Sequence, residues 1–414
     1  MLKTKDQNCV LIGEKLSHSF SPMIHSMLAD YPYTLAEIKR DELEAFVRSD
    51  NYTSANVTIP YKVEVMKYLD EISPEAAAIG CVNCITHTPD GKLRGDNTDF
   101  YGLSYLIRSS GVDISGRKVL ILGSGGSFLT ASAVCKSMDA SAIICVSRAG
   151  DVNYDNVYTT HPDAEIIINT SPVGMYPNNL ECKIDVSRFN SLKGVFDIVF
   201  NPSKTKLLLD AERLSIPAFG GLAMLVGQAK RACEIFTGEK IDDGEIDRIK
   251  GVIESKTFNI VLVGMPGCGK STIAKALADK LDREIIDTDE EIVKNAKMPI
   301  PEIFSTFGEG VFRSLEHNEI KNAGKLSGKI ISTGGGVVTI PDNYEPLHQN
   351  SIIVFIKRNI EDLSRDGRPL SIGADLNKMY EKRLPMYERF ADVNIDNDSD
   401  IDSCVDKIIT LIRG

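Results

Sequence analysis

The chain has 414 residues, 43% of them apolar and 25% charged, a composition of ordinary globular proteins that excludes a disordered or fibrous molecule. Its length exceeds what one growing core supports, so two or three domains are expected. The net charge of −11 supplies no basic tail or stripe for nucleic acid, and no apolar run approaches a membrane span.

The first residues, MLKTKDQNCVLIGEKLSHS, lack an apolar leader segment, which predicts a cytoplasmic protein without a membrane partner. Polar clusters follow at SHSFSPMIH, at ANVTIPYK (residues 55–62) and at GDNTDF (95–100). Cys81 and Cys84 form one CxxC in GCVNC, but His87 alone completes a zinc set poorly. The nine cysteines are read as reduced thiols.

From residue 118 short Val- and Ile-rich runs alternate with helical patterns, which predicts an α/β fold of parallel sheets with crossover helices. Strands are expected at 118–123, 141–147, 165–171 and 194–200. After the first of these, Gly123, Gly125 and Gly126 open a helix much as a dinucleotide-binding turn does, although not as a strict GxGxxG. At the end of the second, a turn specialised for NAD would carry an acid, yet the residues are Ser147 and Arg148. An arginine there suits a 2′-phosphate, hence NADPH. Ile246, Ile249 and Ile253 mark a charged amphipathic helix that closes this half.

The later half begins with strand 259–264, followed by Gly264, Gly269, Lys270 and Ser271 in GxxxxGK[ST] spacing ahead of a helix. Backbone N–H groups of such a turn curl around phosphate oxygens, the lysine reaches the outer phosphates and the serine can ligate Mg2+. Asp287 and Asp289 stand two apart at an expected strand end, which predicts side chains on the same side. One would hold magnesium while the other orients an acceptor hydroxyl and takes its proton. Arg313 in FGEGVFRSLE, the glycines 334–336, a strand at 351–356, Arg365 and Arg368 in a polar lid-like loop, and Arg383 complete the order.

This set, over residues 257–414, resembles shikimate kinase. The resemblance implies that Asp289, Arg313, Gly335 and Arg383 hold the substrate, and that Lys270, Asp289 and Arg368 are catalytic. It further implies that Gly264, Gly267, Gly269, Lys270, Ser271 and Thr272 bind ATP, and that Ser271 and Asp287 serve Mg2+. Adenylate and gluconate kinases share the phosphate loop, but not the combination DTD, FRxxE and GGG.

Residues 8 to about 250 resemble shikimate dehydrogenase through the polar clusters above and GGLAMLVGQA at 220–229. That resemblance implies Ser19, Ser21, Thr58, Asn83, Asp99 and Gln228 around the substrate, with Lys62 and Asp99 as the catalytic pair. It implies Gly123, Gly125, Gly126, Ser127, Ser147, Arg148 and Gly221 at the cofactor. Lys62 could otherwise be an exposed turn lysine, and Asp99 a helix cap. Phe200 replaces a tyrosine usual in that family, and Ser124 and Ser147 also depart from its pattern. The implied architecture is a substrate domain at 1–105, completed by 220–253, a Rossmann-like NADP domain at 106–219, and a P-loop kinase domain at 256–414. The implied activities are NADPH-dependent reduction of 3-dehydroshikimate and ATP-dependent phosphorylation of shikimate, two steps toward chorismate and the aromatic amino acids, with only small-molecule substrates as partners. The alternatives are a kinase joined to a catalytically inactive module, or to one specific for quinate.

Overall fold

The computed structural model describes residues 7–16, 19–363, 375–398 and 400–413. The chain divides into two compact units, Met1–Met175 with Glu181–Lys250, and Tyr176–Leu180 with Gly251–Gly414.

The first unit holds two sheets. β1 (Cys9–Gly13), β2 (Tyr33–Glu37), β3 (Ser54–Val57), β4 (Glu71–Ile72), β5 (Cys84–His87) and β6 (Leu93–Asp96) pair in the order β2-β1-β3-β5-β6-β4. β5 runs antiparallel to both its neighbours. Val10, Ile12, Ala55, Val57 and Ile85 bury one face of this sheet against Tyr61 and Val65. The second sheet is wholly parallel: β7 (Lys118–Leu122), β8 (Ala142–Val146), β9 (Ile166–Asn169), β10 (Gly194–Asp197) and β11 (Ala218–Phe219), in the order β11-β10-β9-β7-β8. Val119 and Ile121 pack on one face, and Leu120 and Leu122 on the other. Both faces of β7 are therefore covered, and its sequence is an unbroken apolar run rather than an alternating one. β8 and β9 lie on opposite sides of β7, so the loop after β7 opens at the point where strand order reverses, the usual crevice for a ligand in such sheets.

The second unit repeats that device. β12 (Asn259–Val263), β13 (Ile285–Asp287), β14 (Ile330–Ser332), β15 (Ser351–Lys357) and β16 (Val393–Asp396) form a parallel sheet in the order β13-β14-β12-β15-β16. The loop after β12 again faces a reversal. A separate small core of Ile292, Ile303 and Phe312 lies apart from the main one and joins the helices Thr288–Ala296 and Ile300–Gly324. The latter helix is broken at Gly308, whose φ of 81° and ψ of 172° interrupt the helical path.

The run expected at 351–356 extends by one residue to Lys357, whereas the other five of the six expected strands are shorter than their apolar runs, because residues at the end of each run turn into loops at the sheet's carboxyl edge. Phe200 is one of these and stands beyond β10. Among the described residues no helix is long and apolar enough to cross a membrane.

Candidate active sites

In the first unit, the turn after β3 carries Thr58, whose carbonyl accepts the Tyr61 N–H at 3.0 Å. The buried Tyr61 hydroxyl donates to the Ile38 carbonyl at 2.6 Å and pins the turn. The following residue, Lys62, is not an exposed turn lysine: its side chain is 15% exposed, and Nζ donates to Asp99 Oδ2 at 2.6 Å. Asp99 does not cap its helix either. Thr98 holds the cap position, Asp99 is the first helical residue, and its carboxylate, 7% exposed, turns to the lysine.

The Thr98 N–H donates to Asn83 Oδ1 at 2.6 Å, and Asn83 Nδ2 donates to Thr98 Oγ1 at 3.0 Å. The Thr98 hydroxyl lies 3.5 Å from Gln228 Oε1, so Asn83, Thr98 and Gln228 form one linked polar group that adjoins Asp99 through the chain at Thr98. Tyr33 donates to Asn56 at 2.8 Å and also touches Ser21, the buried first residue of the helix Ser21–Leu28. Ser19 is half-buried beside it and accepts the Ser21 N–H at 3.2 Å. Between them Phe20 packs against Phe200, ring centroids 5.5 Å apart. Thr98 carries no site role in the sequence reading, although it lies within GDNTDF.

The glycine turn abuts this pair. A Cβ on Gly126, the first residue of the helix Gly126–Ser137, would stand 3.6 Å from the Lys62 Cβ, whereas one on Gly125 would enter open space. Gly123 has a φ of +111°, a conformation that glycine tolerates. The first N–H groups of a helix have no partner within it, and those of Gly126 and Ser127 begin this one, so the turn is chemically suited to a pyrophosphate. Beyond β8, Ser147 is half-buried and Arg148 is exposed near Tyr154. Gly221 has a structural cause of its own: its N–H is already bonded to the Val199 carbonyl at 3.0 Å, and the Ile198 carbonyl leaves no room for a side chain. Cys81 is buried, with its sulfur beside Thr130 and Asn97. Among the described residues no His, Cys, Asp and Glu cluster suited to a metal is found.

In the second unit, Gly264, Gly267 and Gly269 have φ of +151°, +88° and +100°. The loop folds so tightly that a Cβ on Gly264 would lie 2.6 Å from the Ile356 carbonyl, and one on Gly269 2.7 Å from Asn397 Nδ2. Lys270 is 8% exposed, and its ammonium donates to the Gly264 and Met265 carbonyls at 2.9 and 3.1 Å, which holds it against the loop. Ser271 and Thr272 are exposed in the helix Lys270–Leu281.

Asp287 and Asp289 are not two residues of one strand edge. Asp287 ends β13 and caps the next helix, accepting the Asp289 and Glu290 N–H groups at 3.0 and 3.4 Å, while Asp289 belongs to that helix's first turn. An Asp followed by Thr-Asp-Glu-Glu is a helix start signal, and the local cap overrides the strand period. Asp287 Oδ2 nevertheless lies 3.5 Å from Ser271 Oγ, which is 3.5 Å from Ser332 Oγ. This set of hard oxygen donors fits Mg2+.

Asp289 faces a second carboxylate. Arg313 binds Glu316 at 2.8 Å and Glu309 at 3.1 Å, and Glu316 is fully buried. Asp289 Oδ1 and Glu316 Oε1 are both buried without a hydrogen-bond partner among the described residues. Burial, and then the Asp287 charge, push the Asp289 carboxyl above the usual range; burial does the same to Glu316. The triglycine closes the pocket: a Cβ on Gly334 would lie 2.8 Å from Asp289 Oδ1 and 3.0 Å from Glu316 Oε1, and one on Gly336 would strike the Arg313 guanidinium. The Gly335 carbonyl accepts from Tyr387 at 2.5 Å and Arg383 at 3.2 Å. Tyr387 has no place in the sequence reading, and Glu316 enters it only as the last residue of FRxxE, without a role of its own. Glu316 follows Arg313 by three helical positions, a spacing that makes them neighbours. Arg365 and Arg368 lie outside the described residues.

The family model described as shikimate kinase matches residues 266–413, and that described as the shikimate dehydrogenase substrate binding domain matches residues 11–85. A shikimate dehydrogenase (NADP(+)) of Clostridium perfringens is 38% identical over 260 residues, covering 58% of this chain and 95% of that protein. The crystal structure of a chorismate mutase/shikimate 5-dehydrogenase fusion protein from Clostridium acetobutylicum is 34% identical, with a TM-score of 0.57, and covers 60% of this chain and 97% of that one. A Listeria monocytogenes shikimate 5-dehydrogenase in complex with shikimate and NAD is 28% identical, with a TM-score of 0.53 over 60% of this chain and 97% of that one. The chain thus belongs to the shikimate dehydrogenase family and carries a shikimate kinase domain in its later part.

Proposed function

We propose that this chain carries out two consecutive reactions on one ring: NADPH-dependent reduction of 3-dehydroshikimate to shikimate, then ATP-dependent phosphorylation of that shikimate to shikimate 3-phosphate. On this reading residues 1–105 with 220–253 form the substrate domain, 106–219 the nucleotide domain and 256–414 the kinase. The observation that carries it is a doubled arrangement. Lys62–Asp99 abuts the Gly126 turn in one unit, and Asp289 with Arg313 and Glu316 abuts the triglycine beside the phosphate loop in the other.

In the dehydrogenase half, NADPH supplies the hydride when bound on Gly123, Gly125, Gly126 and Ser127, and the NADP(+) specificity named for the Clostridium perfringens relative supports Ser147 and Arg148 at the 2′-phosphate. Lys62 donates a proton to the substrate oxygen as its carbonyl becomes an alkoxide, and Asp99 holds the ammonium in line. Asn83, Gln228, Thr58, Ser19 and Ser21 orient the hydroxyls and carboxylate. Thr98 locks Asn83 and is a positioning residue.

In the kinase half, ATP with Mg2+ supplies the phosphoryl group when held by the loop 264–272, Ser271 and Asp287. Asp289 accepts the proton of the attacking hydroxyl, and its buried Oδ1 has no hydrogen-bond partner among the described residues. Arg313, fixed by Glu316, and Arg383 take the substrate carboxylate, and Gly335 gives its ring room. Arg368 would steady the transferring group.

The test is one reaction mixture of the purified chain, 3-dehydroshikimate, NADPH and ATP-Mg2+, followed by nicotinamide absorbance and ADP release together. ADP release that lags behind NADPH oxidation and stops when NADPH is omitted supports the sequence of steps. NADPH oxidation with no ADP release, even on added shikimate, refutes it.

A further inference from the structure

The helices Asp99–Ser109 and Leu222–Thr237 border, with Lys240, Ile241 and Asp243, an open cavity of about 490 Å³. This is within the range of small-molecule sites. Lys62, Asn83, Asp99 and Gln228 do not line it, so it is separate from the hydride site.

Tyr101, Ser104 and Arg108 recur at steps of three and four, and thus present one helical face to the cavity, with Asn97 just before the helix. Ser104 is 4% exposed, and its hydroxyl has no hydrogen-bond partner among the described residues. A buried hydroxyl left unpaired is costly, and one that lines a polar cavity is satisfied by what enters.

The charges sort into committed and available. Lys230 is buried and pairs with Glu234 at 3.1 Å and Asp243 at 2.5 Å, and Arg231 pairs with Glu234 at 3.0 Å. Those two carboxylates are therefore neutralised within the wall. Arg108 and Lys240 line the cavity with no hydrogen bond or ion pair among the described residues, Lys240 acting on Asp243 only at longer range. The remaining acid, Glu75, is opposed by Arg231. The walls thus offer two available cations and a hydroxyl donor against one carboxylate that already has a cation nearby.

We propose that this cavity is a second ligand site, for a small polar molecule carrying a phosphate or carboxylate, with Arg108 and Lys240 holding the oxyanion and Ser104 donating to it. Phosphate and carboxylate share the recognition chemistry, and a titration separates them.

The full chain, with NADP+, ADP-Mg2+ and shikimate saturating, is titrated calorimetrically with inorganic phosphate and, separately, with succinate. The parent should take up one equivalent of at least one anion, and the tighter of the two identifies the class. Arg108→Ala/Lys240→Ala should bind it at least tenfold more weakly, with its dehydrogenase rate unchanged. No uptake by the parent, or equal uptake by the double variant, overturns the proposal. Should the double variant not fold, Lys240→Gln on the exposed loop serves instead: threefold weaker binding supports the site, and undiminished binding removes it.

Discussion

Gly335→Ala is the most discriminating perturbation of the kinase pocket. A Cβ at that position would stand 2.6 Å from Pro266 Cδ, 2.7 Å from its Cγ and 2.9 Å from its nitrogen, where ordinary contact starts at 3.4 Å. The triglycine and the phosphate loop would have to part by about 0.8 Å, the difference between 3.4 and 2.6. A proline ring has no soft end to move aside. Overpacking of this kind costs about 1–3 kcal/mol of stability. A displacement near 1 Å between acceptor and donor sites costs on the order of 10²-fold in rate. The assay is ADP release on added shikimate, with dehydrogenase turnover of the same sample as an internal standard. The expected result is a kinase slower by about two orders of magnitude and an unaltered dehydrogenase. Gly310→Ala is the control: its Cβ meets nothing within 4 Å, and the helix gains up to about 1 kcal/mol of propensity. Gly335→Ala with the parent's ADP rate would show that the close approach to Pro266 does not matter to catalysis.

Lys62→Ala should lower dehydrogenase kcat by about 10²- to 10⁴-fold and leave phosphorylation intact; comparable slowing of both activities would contradict the separate sites. Phe200→Tyr should restore a hydrogen bond worth about 1 kcal/mol, a roughly fivefold lower KM for shikimate, and an unchanged KM would place that ring away from the substrate. Folding raises the Asp289 carboxyl above its unfolded value, so its contribution to stability is full at low pH and is lost as pH rises through the raised value. At neutral pH the ionised group is a liability. Asp289→Asn should therefore abolish phosphorylation yet melt about 2 °C higher, and a lower melting point would refute the burial argument. His25 is buried, and its imidazole is lowered to about 3. Its contribution is present above the unfolded value near 6.5 and disappears as pH falls toward 3, by up to about 1.4 kcal/mol per unit. His25→Phe, which keeps the stack on Tyr33, should flatten the fall in urea midpoint between pH 7 and 5.

The buried parallel strands could be read in the sequence because both faces of β7 and β12 are covered, and their apolar runs are continuous. The first sheet was less legible: β2, for instance, is only partly covered, and short half-buried strands leave no such run. Glycine turns after β7 and β12 announced themselves by residue type, since Gly123 in the first and Gly264, Gly267 and Gly269 in the second hold backbone angles that admit little else. What a linear pattern could not reveal was convergence. Asp289 and Glu316 are far apart in the chain, and only the fold brings both against Gly334. Asp289 was placed on the wrong element: the strand stops at Asp287, whose carboxylate caps the next helix, and Asp289 lies in that helix's first turn. Thr98 and Tyr387 act through a hydrogen bond to another residue's backbone or amide, and residue type alone does not disclose such a partner.

The small apolar nucleus spans the break at Gly308: Ile303 lies before it and Phe312 after it, both packed with Ile292 of the helix Thr288–Ala296, and Phe312 is next in the chain to Arg313. That nucleus is small and apart from the main core, so local opening there is expected to cost less than global unfolding. On the proposed function, the phosphate loop, through Met265 and Cys268, rests on the large core and the acceptor side on the small one.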